Sequence, residues 1–357
     1  MIYLRDFETE EQYDEFTGNT YSIPNVSSIR ENGPDVRYNE YYNAPLTFQI
    51  IGDEDYAEGD TYSIFLRFDG EDTSYRIDDG IQYRINGGEW IYANFDEYQI
   101  DGLKPGDQVQ FYNEFVTAYA YEDARSNLMA NYFYCDAPFN VFGNINSLND
   151  YDDQLDTMQY WALFYGNEEL ISAKNLILPS MTLEDKCYVS MFEGCTSLTT
   201  APSLPATILT ERCYEGMFYG CTSLTTAPEL PATTLAEKCY MLMFSGCTSL
   251  TTAPELPATT LAVHCYTGMF YNCTSLTTAP ELPATTLALG CYEGMFRGCT
   301  NLNYIKCLAT DISASNCTRY WVISVASSGT FIKNSAMNSW IRGISGIPSN
   351  WTVVDNS

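Results

Sequence analysis

Cysteine is the residue whose number and spacing could support chemistry in this chain. Ten of the thirteen cysteines form two series with a period of 26 residues, and the second series follows the first after eight residues. The members are Cys187, Cys213, Cys239, Cys265 and Cys291, and then Cys195, Cys221, Cys247, Cys273 and Cys299. No C-x-x-C pair occurs and the single histidine is His264, so the spacing does not suit zinc or iron–sulfur sites. We therefore expect no metal site, and we interpret the series as buried reduced thiols that pack as small apolar residues.

Acid–base or nucleophilic catalysis is also poorly supported. His264 precedes Cys265, but adjacent residues on one helix point in different directions. The equivalent positions in other copies are Arg212, Lys238 and Gly290, so we expect an exposed histidine without a catalytic role. The sequence lacks a G-x-S-x-G motif and a phosphate-binding glycine loop, and its carboxylates look like solvated surface. It predicts no enzyme, no catalytic residue and no cofactor.

The cysteines belong to a repeat that must position them. CTSLTTAPELPATTLA begins at Cys221 and recurs unchanged at Cys247 and Cys273. The apolar residues from Cys239 to Cys247 fall near helical spacing and predict a short helix with one buried stripe. The prolines at 254 and 257 bound an extended segment. Each coil is thus predicted to be a strand, a proline turn and a helix, with the strands of stacked coils forming a parallel ladder.

The copies also predict where the stack begins and ends. Five coils in register cover residues 187–316, and Cys317 lies one period further on. Phe164–Lys186 is interpreted as a degenerate coil with two extra residues between Leu170 and Pro179. Atypical ends are expected because the last coils of a stack must face water.

The repeated residues resemble the BspA-type leucine-rich repeat, whose coils share a C-x-x-L…L-P…C-Y-x-x-M-F-x-G-C layout. The resemblance covers about residues 160–357. It implies an α/β leucine-rich-repeat solenoid with terminal caps over residues 147–357, and FIKNSAMNSWIRGISGIPSNWTVV resembles a C-terminal cap. In similar proteins a β module precedes the repeats and caps the first coil.

Residues 44–146 are predicted to form such a module. Thr61–Phe68 alternates apolar and polar residues, and Asn86-Gly87-Gly88 separates two strand-like segments as in a hairpin. We expect a small antiparallel sandwich or barrel. The Asp-rich segments Asp53–Asp60 and Asp69–Gly80 could supply oxygen ligands to Ca²⁺, but neither has the spacing of an EF-hand loop, so solvated loops are the favoured interpretation.

Charge excludes some partners. The chain has a net charge of −29, of which residues 1–160 contribute −24 (32 acidic and 8 basic residues). Nucleic acid and anionic membranes are therefore not expected as partners. No apolar run is long enough for a spanning helix, and MIYLRDFETEEQ lacks the basic and apolar regions of a secretory signal.

The first 43 residues are predicted to be an attachment arm. Thr9 to Gln12 has the form of a capping box for a short helix, and an extended aromatic segment follows. A segment too small for its own core can become ordered on a partner, although a flexible acidic leader is the alternative. The candidate anchor contacts are Leu4, Phe7, Tyr13, Phe16, Ile23, Val26 and Ile29.

The segment MIYLRDFETEEQYDEFTGNTYSIPNVSSI is similar to a leader on structural proteins of Bacteroides phages, including crAss-like phages. That similarity implies attachment to a particle. Together with the missing signal, it leads to the hypothesis of a virion protein, assembled in the host cytoplasm, that displays the repeats as a head or tail fibre or decoration. A bacterial surface adhesin, a glycan-degrading enzyme with paired carboxylates and a decoration without any ligand remain alternatives.

Positions that vary between coils are the candidates for ligand contact. They are Tyr219, Ser245, Tyr271 and Arg297, which occupy one position in four successive coils, while the Thr-rich strand segments hardly vary. Side chains that discriminate between ligands should differ from coil to coil. We expect a host-surface glycan or protein as the ligand, and a trimer by analogy with other fibrous appendages.

Overall fold

The computed structural model describes residues 44–53, 55–69, 80–93, 99–114, 118–122, 128–152, 154–338 and 340–356. The predicted arm, residues 1–43, lies outside these ranges. So does most of the Asp-rich segment Asp69–Gly80.

The first part of the described chain consists of two β-sheets. The strands are β1 (Leu46–Ile50), β2 (Tyr62–Asp69), β3 (Ile81–Ile85), β4 (Ile91–Tyr92), β5 (Gln99–Leu103), β6 (Gln108–Asn113), β7 (Ala120–Glu122), β8 (Leu128–Cys135), β9 (Phe139–Asn144) and β10 (Leu170–Ile177). One sheet has the order β10-β9-β1-β6-β3-β4 and the other β5-β2-β8-β7. Phe48 of β1 and Phe133 of β8 lie 5.5 Å apart between ring centroids, so the two sheets share one core. β3 and β4 pair antiparallel, which confirms the hairpin predicted at Asn86-Gly87-Gly88.

The sheets continue directly into the repeats. β9 pairs antiparallel with β1 but parallel with β10, and Ser172 of β10 forms a parallel bridge with Thr200 of the next coil. The amide of Phe133 donates to the carbonyl of Leu163 at 2.9 Å, and the amide of Cys135 donates to Asn167 Oδ1 at 3.0 Å. The buried residues of the sheets and of the coils therefore form one contiguous core.

The α/β prediction for the repeats is wrong, because the segments predicted to be helices are chains of turns. From Met241 to Phe244 the amide donors alternate between two kinds of acceptor. Met241 and Met243 donate to carbonyls three residues back, whereas Leu242 and Phe244 donate to Thr267 and Met269 of the next coil at 2.9 and 3.0 Å. A helix would direct all of these amides along its own axis. The described residues contain no α-helix, only a 3₁₀ turn at Ile145–Asn149.

Backbone conformation explains the difference. Every fourth residue of the turn segment has a positive φ, as at Lys238 (56°), Leu242 (56°) and Gly246 (77°). A right-handed helix cannot contain such residues, so the chain turns once per four residues and sends alternate amides to the neighbouring coil. Cys239, Met243 and Cys247, four residues apart, are consequently all buried.

The extended half of each coil pairs in parallel with its neighbours. In the verbatim coils this pairing consists of single bridges, such as Thr226 with Thr252 and Thr234 with Thr260, because the prolines interrupt a longer ladder. At the end of the stack the pairing widens into a parallel sheet of β11 (Tyr304–Cys307), β12 (Thr330–Asn334) and β13 (Thr352–Asn356).

Aromatic columns fill the interior of the stack. Tyr188, Tyr214, Tyr240, Tyr266 and Tyr292 are fully buried, and their successive ring centroids lie 5.7 to 6.1 Å apart with nearly parallel planes. A phenylalanine column runs beside it, in which Phe244 lies 5.7 Å from Phe218 and 5.8 Å from Phe270. These distances belong to the offset stacking that aromatic rings prefer.

The expectation of buried thiols is confirmed. All thirteen cysteines are free and buried. In the second series each thiol donates to a carbonyl of the preceding coil, as Cys247 does to Phe218 at 3.1 Å. The thiols thus fill small spaces in the core and add one weak hydrogen bond per coil.

The C-terminal end closes the stack with side chains. Trp321 lies one period after Met295, and its ring extends the tyrosine column at 6.2 Å from the ring of Tyr292. Its indole nitrogen donates to Gly346 at 2.8 Å, and Trp340 stacks on its other face at 5.7 Å. The segment after the repeats therefore covers aromatic surface that the last coil would otherwise expose.

Candidate ligand-contact column

One column of side chains on the turn side of the stack contains all four predicted contact residues. We call it the contact column. It consists of Tyr165, Glu193, Tyr219, Ser245, Tyr271, Arg297 and Ile323, one from each coil. The backbone holds these residues in line, because the residue after each one donates its amide to the carbonyl of the next column member. Gly220 donates to Ser245 at 2.8 Å, and Gly246 donates to Tyr271 at 2.7 Å.

The contact column differs in exposure along its length. Tyr219 is 41% exposed and Tyr165 is 46% exposed, while Tyr271 is partly exposed. Arg297 is exposed, and its guanidinium carbon lies 5.6 Å from the centroid of the Tyr271 ring. Ser245 is only 1% exposed, so among the predicted contacts it is the one that the structure places out of reach of a ligand.

Aromatic residues alternate with other residues along the column. Tyr165, Tyr219 and Tyr271 lie on every second coil, with Glu193 and Ser245 on the coils between them. At about 4.8 Å per coil, successive tyrosines are about 10 Å apart along the stack. Such a row presents flat, amphipathic surfaces at regular intervals and suits an extended ligand.

Three of these positions could have been found from the sequence. Glu193 aligns with Tyr219 in the repeated M-F-x-G-C motif, and Tyr165 lies in the related sequence FYGN. Ile323 follows from extending the register beyond Cys317. Both cysteines and the methionine of the motif are missing only around Tyr165, whereas the copy that contains Glu193 keeps all three.

A second position that varies between coils, occupied by glycine or leucine, has a structural explanation. Gly216, Gly268 and Leu242 occupy the same left-handed position of their coils, with φ between 56° and 61°. A Cβ atom on Gly268 would lie 2.6 Å from Cδ2 of Leu242, so the glycine makes room for the larger side chain of the preceding coil. Variation between Gly and Leu here reflects backbone conformation and packing.

Charged residues beside the column interact with one another. Arg212 Nε lies 3.5 Å from a carboxylate oxygen of Glu215, and Arg319 lies 3.3 Å from Glu293 of the preceding coil. Burial raises the pKa of Glu215, and the nearby Arg212 opposes that shift. The first pair thus joins residues of one coil, and the second joins neighbouring coils.

The thiols are buried, and the histidine is partly buried. Burial raises the pKa of Cys247 to about 12, so its thiol stays protonated at neutral pH. His264 is half-buried rather than exposed as expected, and its Nδ1 lies 3.1 Å from Thr267 Oγ1. In the described part of the chain, no group of three or more His, Cys, Asp or Glu residues could hold a metal ion.

Two further predictions concern the N-terminal anchor residues and membrane-spanning segments. The anchor candidates Leu4, Phe7, Tyr13, Phe16, Ile23, Val26 and Ile29 all lie outside the described residues. Within the described ranges, no helix is long and apolar enough to cross a membrane.

Comparison with known families agrees with the repeat geometry. The family description "BspA type leucine rich repeat region" matches six copies, at residues 163–303 and 213–341, which together span half of the chain. The chain belongs to the BspA-type leucine-rich repeat family. Repeats of this family suggest a surface-binding, adhesin-like role. No curated protein and no solved structure matches the chain, and the similarity of the N-terminal leader to phage virion proteins receives no support.

Proposed function

We propose that this BspA-type protein is a non-enzymatic surface-binding protein whose contact column recognises an extended ligand on a host surface. The observation that carries this proposal is the row of tyrosines on alternate coils, with Tyr165 and Tyr219 each more than two-fifths exposed. A glycan chain or an extended peptide could contact several of these rings at once.

The scaffold beneath the column supports such a role. The aromatic and thiol columns below it repeat with little change, so the backbone presents the exposed side chains at fixed intervals. Tyrosine supplies a large contact area with few rotatable bonds, which limits the entropy lost on binding. Several weak contacts along one ligand then add to a useful affinity.

Charge narrows the class of ligand. The net charge of −29 opposes the approach of strongly anionic polymers, and the column carries both Glu193 and Arg297. A neutral glycan or a protein segment of mixed charge fits the column better than an acidic polysaccharide.

The experiment compares two triple variants of the full-length protein. One replaces Tyr219, Tyr271 and Arg297 by alanine. The control replaces Thr233, Thr259 and Thr285, which are exposed on the strand side, by alanine. We expect the first variant to lose binding to host cells or host glycans by at least about tenfold, as is typical for removal of aromatic and arginine contacts. Equal binding by both variants would refute the column as the contact surface.

We further propose that the protein is a component of a phage particle, where residues 1–43 attach it and the repeats project as a homotrimeric head or tail fibre or decoration. This proposal is motivated by the resemblance of residues 1–29 to virion leaders. Quantitative mass spectrometry of purified particles tests it. A fixed ratio to capsid or tail proteins, lost when residues 1–43 are deleted, is the expected result.

The competing proposal is a bacterial cell-surface adhesin, which the family match favours. Under that proposal the protein is absent from particles and is labelled on intact cells by a membrane-impermeant reagent. The binding experiment applies equally to a protein on a phage particle and to one on a bacterial cell. A failure to find the protein in particles therefore does not decide whether the contact column binds a ligand.

A further inference from the structure

A second group of aromatic residues, two exposed and two partly exposed, lies on the outer face of the β10-β9-β1-β6-β3-β4 sheet. We call Trp90, Tyr92, Tyr112 and Tyr151 the aromatic platform. Gln82 of β3 pairs with Tyr112 of β6 and with Tyr92 of β4, so these side chains share one face of the sheet. The neighbouring Phe111 points to the opposite face, where it is buried in the core.

Three of the four platform rings contact one another, with Tyr112 between Trp90 and Tyr151. The ring centroid of Tyr112 lies 6.0 Å from that of Trp90 and 6.1 Å from that of Tyr151. Trp90 is 36% exposed and Tyr92 is 60% exposed, although large aromatic side chains are mostly buried in folded proteins. The rings of Trp90, Tyr112 and Tyr151 thus form a connected aromatic surface at most about 12 Å long, in which Tyr112 and Tyr151 are partly buried.

Polar contacts hold the rings in place. The hydroxyl of Tyr112 donates to Asp150 at 2.5 Å, and that of Tyr92 donates to Glu114 at 3.0 Å. The hydrogen bond to Asp150 raises the pKa of Tyr112 to about 12, so this tyrosine remains a neutral donor. Rings that are fixed before binding lose less entropy when a ligand arrives.

The side chain of Arg84, which lies beside the platform, is also held in place. The guanidinium carbon of Arg84 lies 4.7 Å from the Trp90 ring centroid, and Arg84 Nε donates to Gln110 at 2.6 Å. Arg84 therefore orients both the indole and a neighbouring amide on the same face.

An unusual turn places the last ring. Asp150 and Tyr151 both have positive φ, at 47° and 56°, which is uncommon for non-glycine residues and especially for a bulky aromatic one. Backbone hydrogen bonds from Asp150 to Asn113 at 3.0 Å and from Tyr151 to Asn146 at 2.7 Å hold the turn. This turn brings the Tyr151 ring beside Tyr112 and supplies the carboxylate that tethers Tyr112. Asp150 is also the left-handed residue that ends the 3₁₀ turn Ile145–Asn149, so this conformation has a structural cause.

We propose that the aromatic platform binds a soluble, neutral oligosaccharide. Aromatic faces suit the apolar faces of sugar rings, and amides such as Gln82 and Gln110 suit their hydroxyls. A cationic ligand would meet Arg84 beside the platform, and an anionic ligand would meet Asp150 and Glu114 at its edge. A neutral ligand avoids both repulsions.

The angles between the rings restrict the shape of the ligand. The planes of Trp90 and Tyr112 differ by 56°, and those of Tyr112 and Tyr151 by 28°. A flat crystalline polysaccharide cannot lie against all three rings at once. A single, twisted chain of sugars can follow them, and the platform is long enough to contact more than one sugar ring.

The platform binds independently of the contact column, and the experiment separates the two sites. The full-length protein is run in native gels that contain barley β-glucan, arabinoxylan, galactomannan or dextran, and the tryptophan fluorescence is titrated with the polysaccharide that retards it. We expect at least one to retard the protein, and Trp90→Ala and Tyr92→Ala each to weaken binding at least tenfold. Tyr92→Phe, which keeps the ring but loses the bond to Glu114, should weaken it only a few-fold.

Two matched controls complete the test. Tyr121→Ala removes a 45% exposed tyrosine from the other sheet, and Thr259→Ala changes an exposed residue of the repeats that belongs to neither the platform nor the contact column; both should bind as the unchanged protein does. Unfolding midpoints show whether each variant is folded. Retardation by none of the four polysaccharides, or full binding by folded Trp90→Ala and Tyr92→Ala, would overturn the proposal. Binding that appears only after deletion of residues 1–43 would also overturn it, because that segment would then be the occupant.

Discussion

Replacing Gly294 by alanine tests the turn geometry of the repeats through the sign of its effect on stability. Gly294 has a φ of 62°, and an added Cβ atom would meet no other heavy atom within 4 Å. The substitution therefore changes the backbone preference without creating a clash. A left-handed alanine costs about 1 to 2 kcal/mol relative to the right-handed conformation.

The unfolded chain contributes a smaller, opposite effect. Alanine lowers the conformational entropy of the unfolded state, which favours folding by about 0.4 to 1 kcal/mol. The net expectation for the observed geometry is a loss of about 1 kcal/mol in the free energy of unfolding. In the helix that the apolar spacing predicts, the same substitution would instead stabilise the protein by about 0.5 to 1 kcal/mol.

Urea unfolding followed by circular dichroism measures the difference. Thr300→Ala is the control, since Thr300 is exposed and is not among the residues with positive φ, and it should change the free energy by no more than about 0.5 kcal/mol. A higher unfolding midpoint for Gly294→Ala than for the unchanged protein would refute the left-handed turns and restore the helix.

Three further predictions concern the core and its thiols. Phe244→Ala should lower the free energy of unfolding by about 3 to 5 kcal/mol in the same urea assay, because the ring is fully buried between two others; a loss under about 1 kcal/mol would contradict the stacked column. The thirteen thiols should resist Ellman's reagent at pH 8 until urea unfolds the chain, because they are buried. Burial also raises the pKa of the thiols, that of Cys135 to about 12. Because unfolded thiols ionise near pH 8.5, the urea midpoint should fall as the pH rises from about 8.5 towards 12, and serine at Cys247 should reduce that slope.

The sequence predicted the repeat better than the shape of its turn segments. Residues spaced by four, such as Cys239, Met243 and Cys247, fit a helix of 3.6 residues per turn almost as well as a four-residue turn. Nine residues are too few to separate the two periods. The deciding signal was the glycine spacing, since Gly290, Gly294 and Gly298 recur every four residues, where a helix would disfavour each one.

Some features of the structure could not be predicted from the sequence. Lys238 and Leu242 adopt positive φ, yet neither residue type indicates a left-handed conformation. The burial of Ser245 depends on the arrangement of the larger residues around it, which the sequence alone does not show. The aromatic platform joins Tyr92 of β4 and the preceding Trp90 with Tyr112 of β6 and Tyr151 of a turn, so its members are separated along the chain and share no motif.

If the contact column binds a ligand as proposed, the repeats separate stability from recognition. The residue types that fill the columns, such as those of Tyr240 and Phe244, recur in each of the five coils between residues 187 and 316. The contact column lies between these positions, and its carbonyls rather than its side chains join the coils. A change from Tyr219 to another side chain thus leaves the hydrogen bond from Gly194 intact at 2.8 Å. Recognition can therefore be altered one coil at a time, while the backbone bonds and the buried rings keep every coil in register.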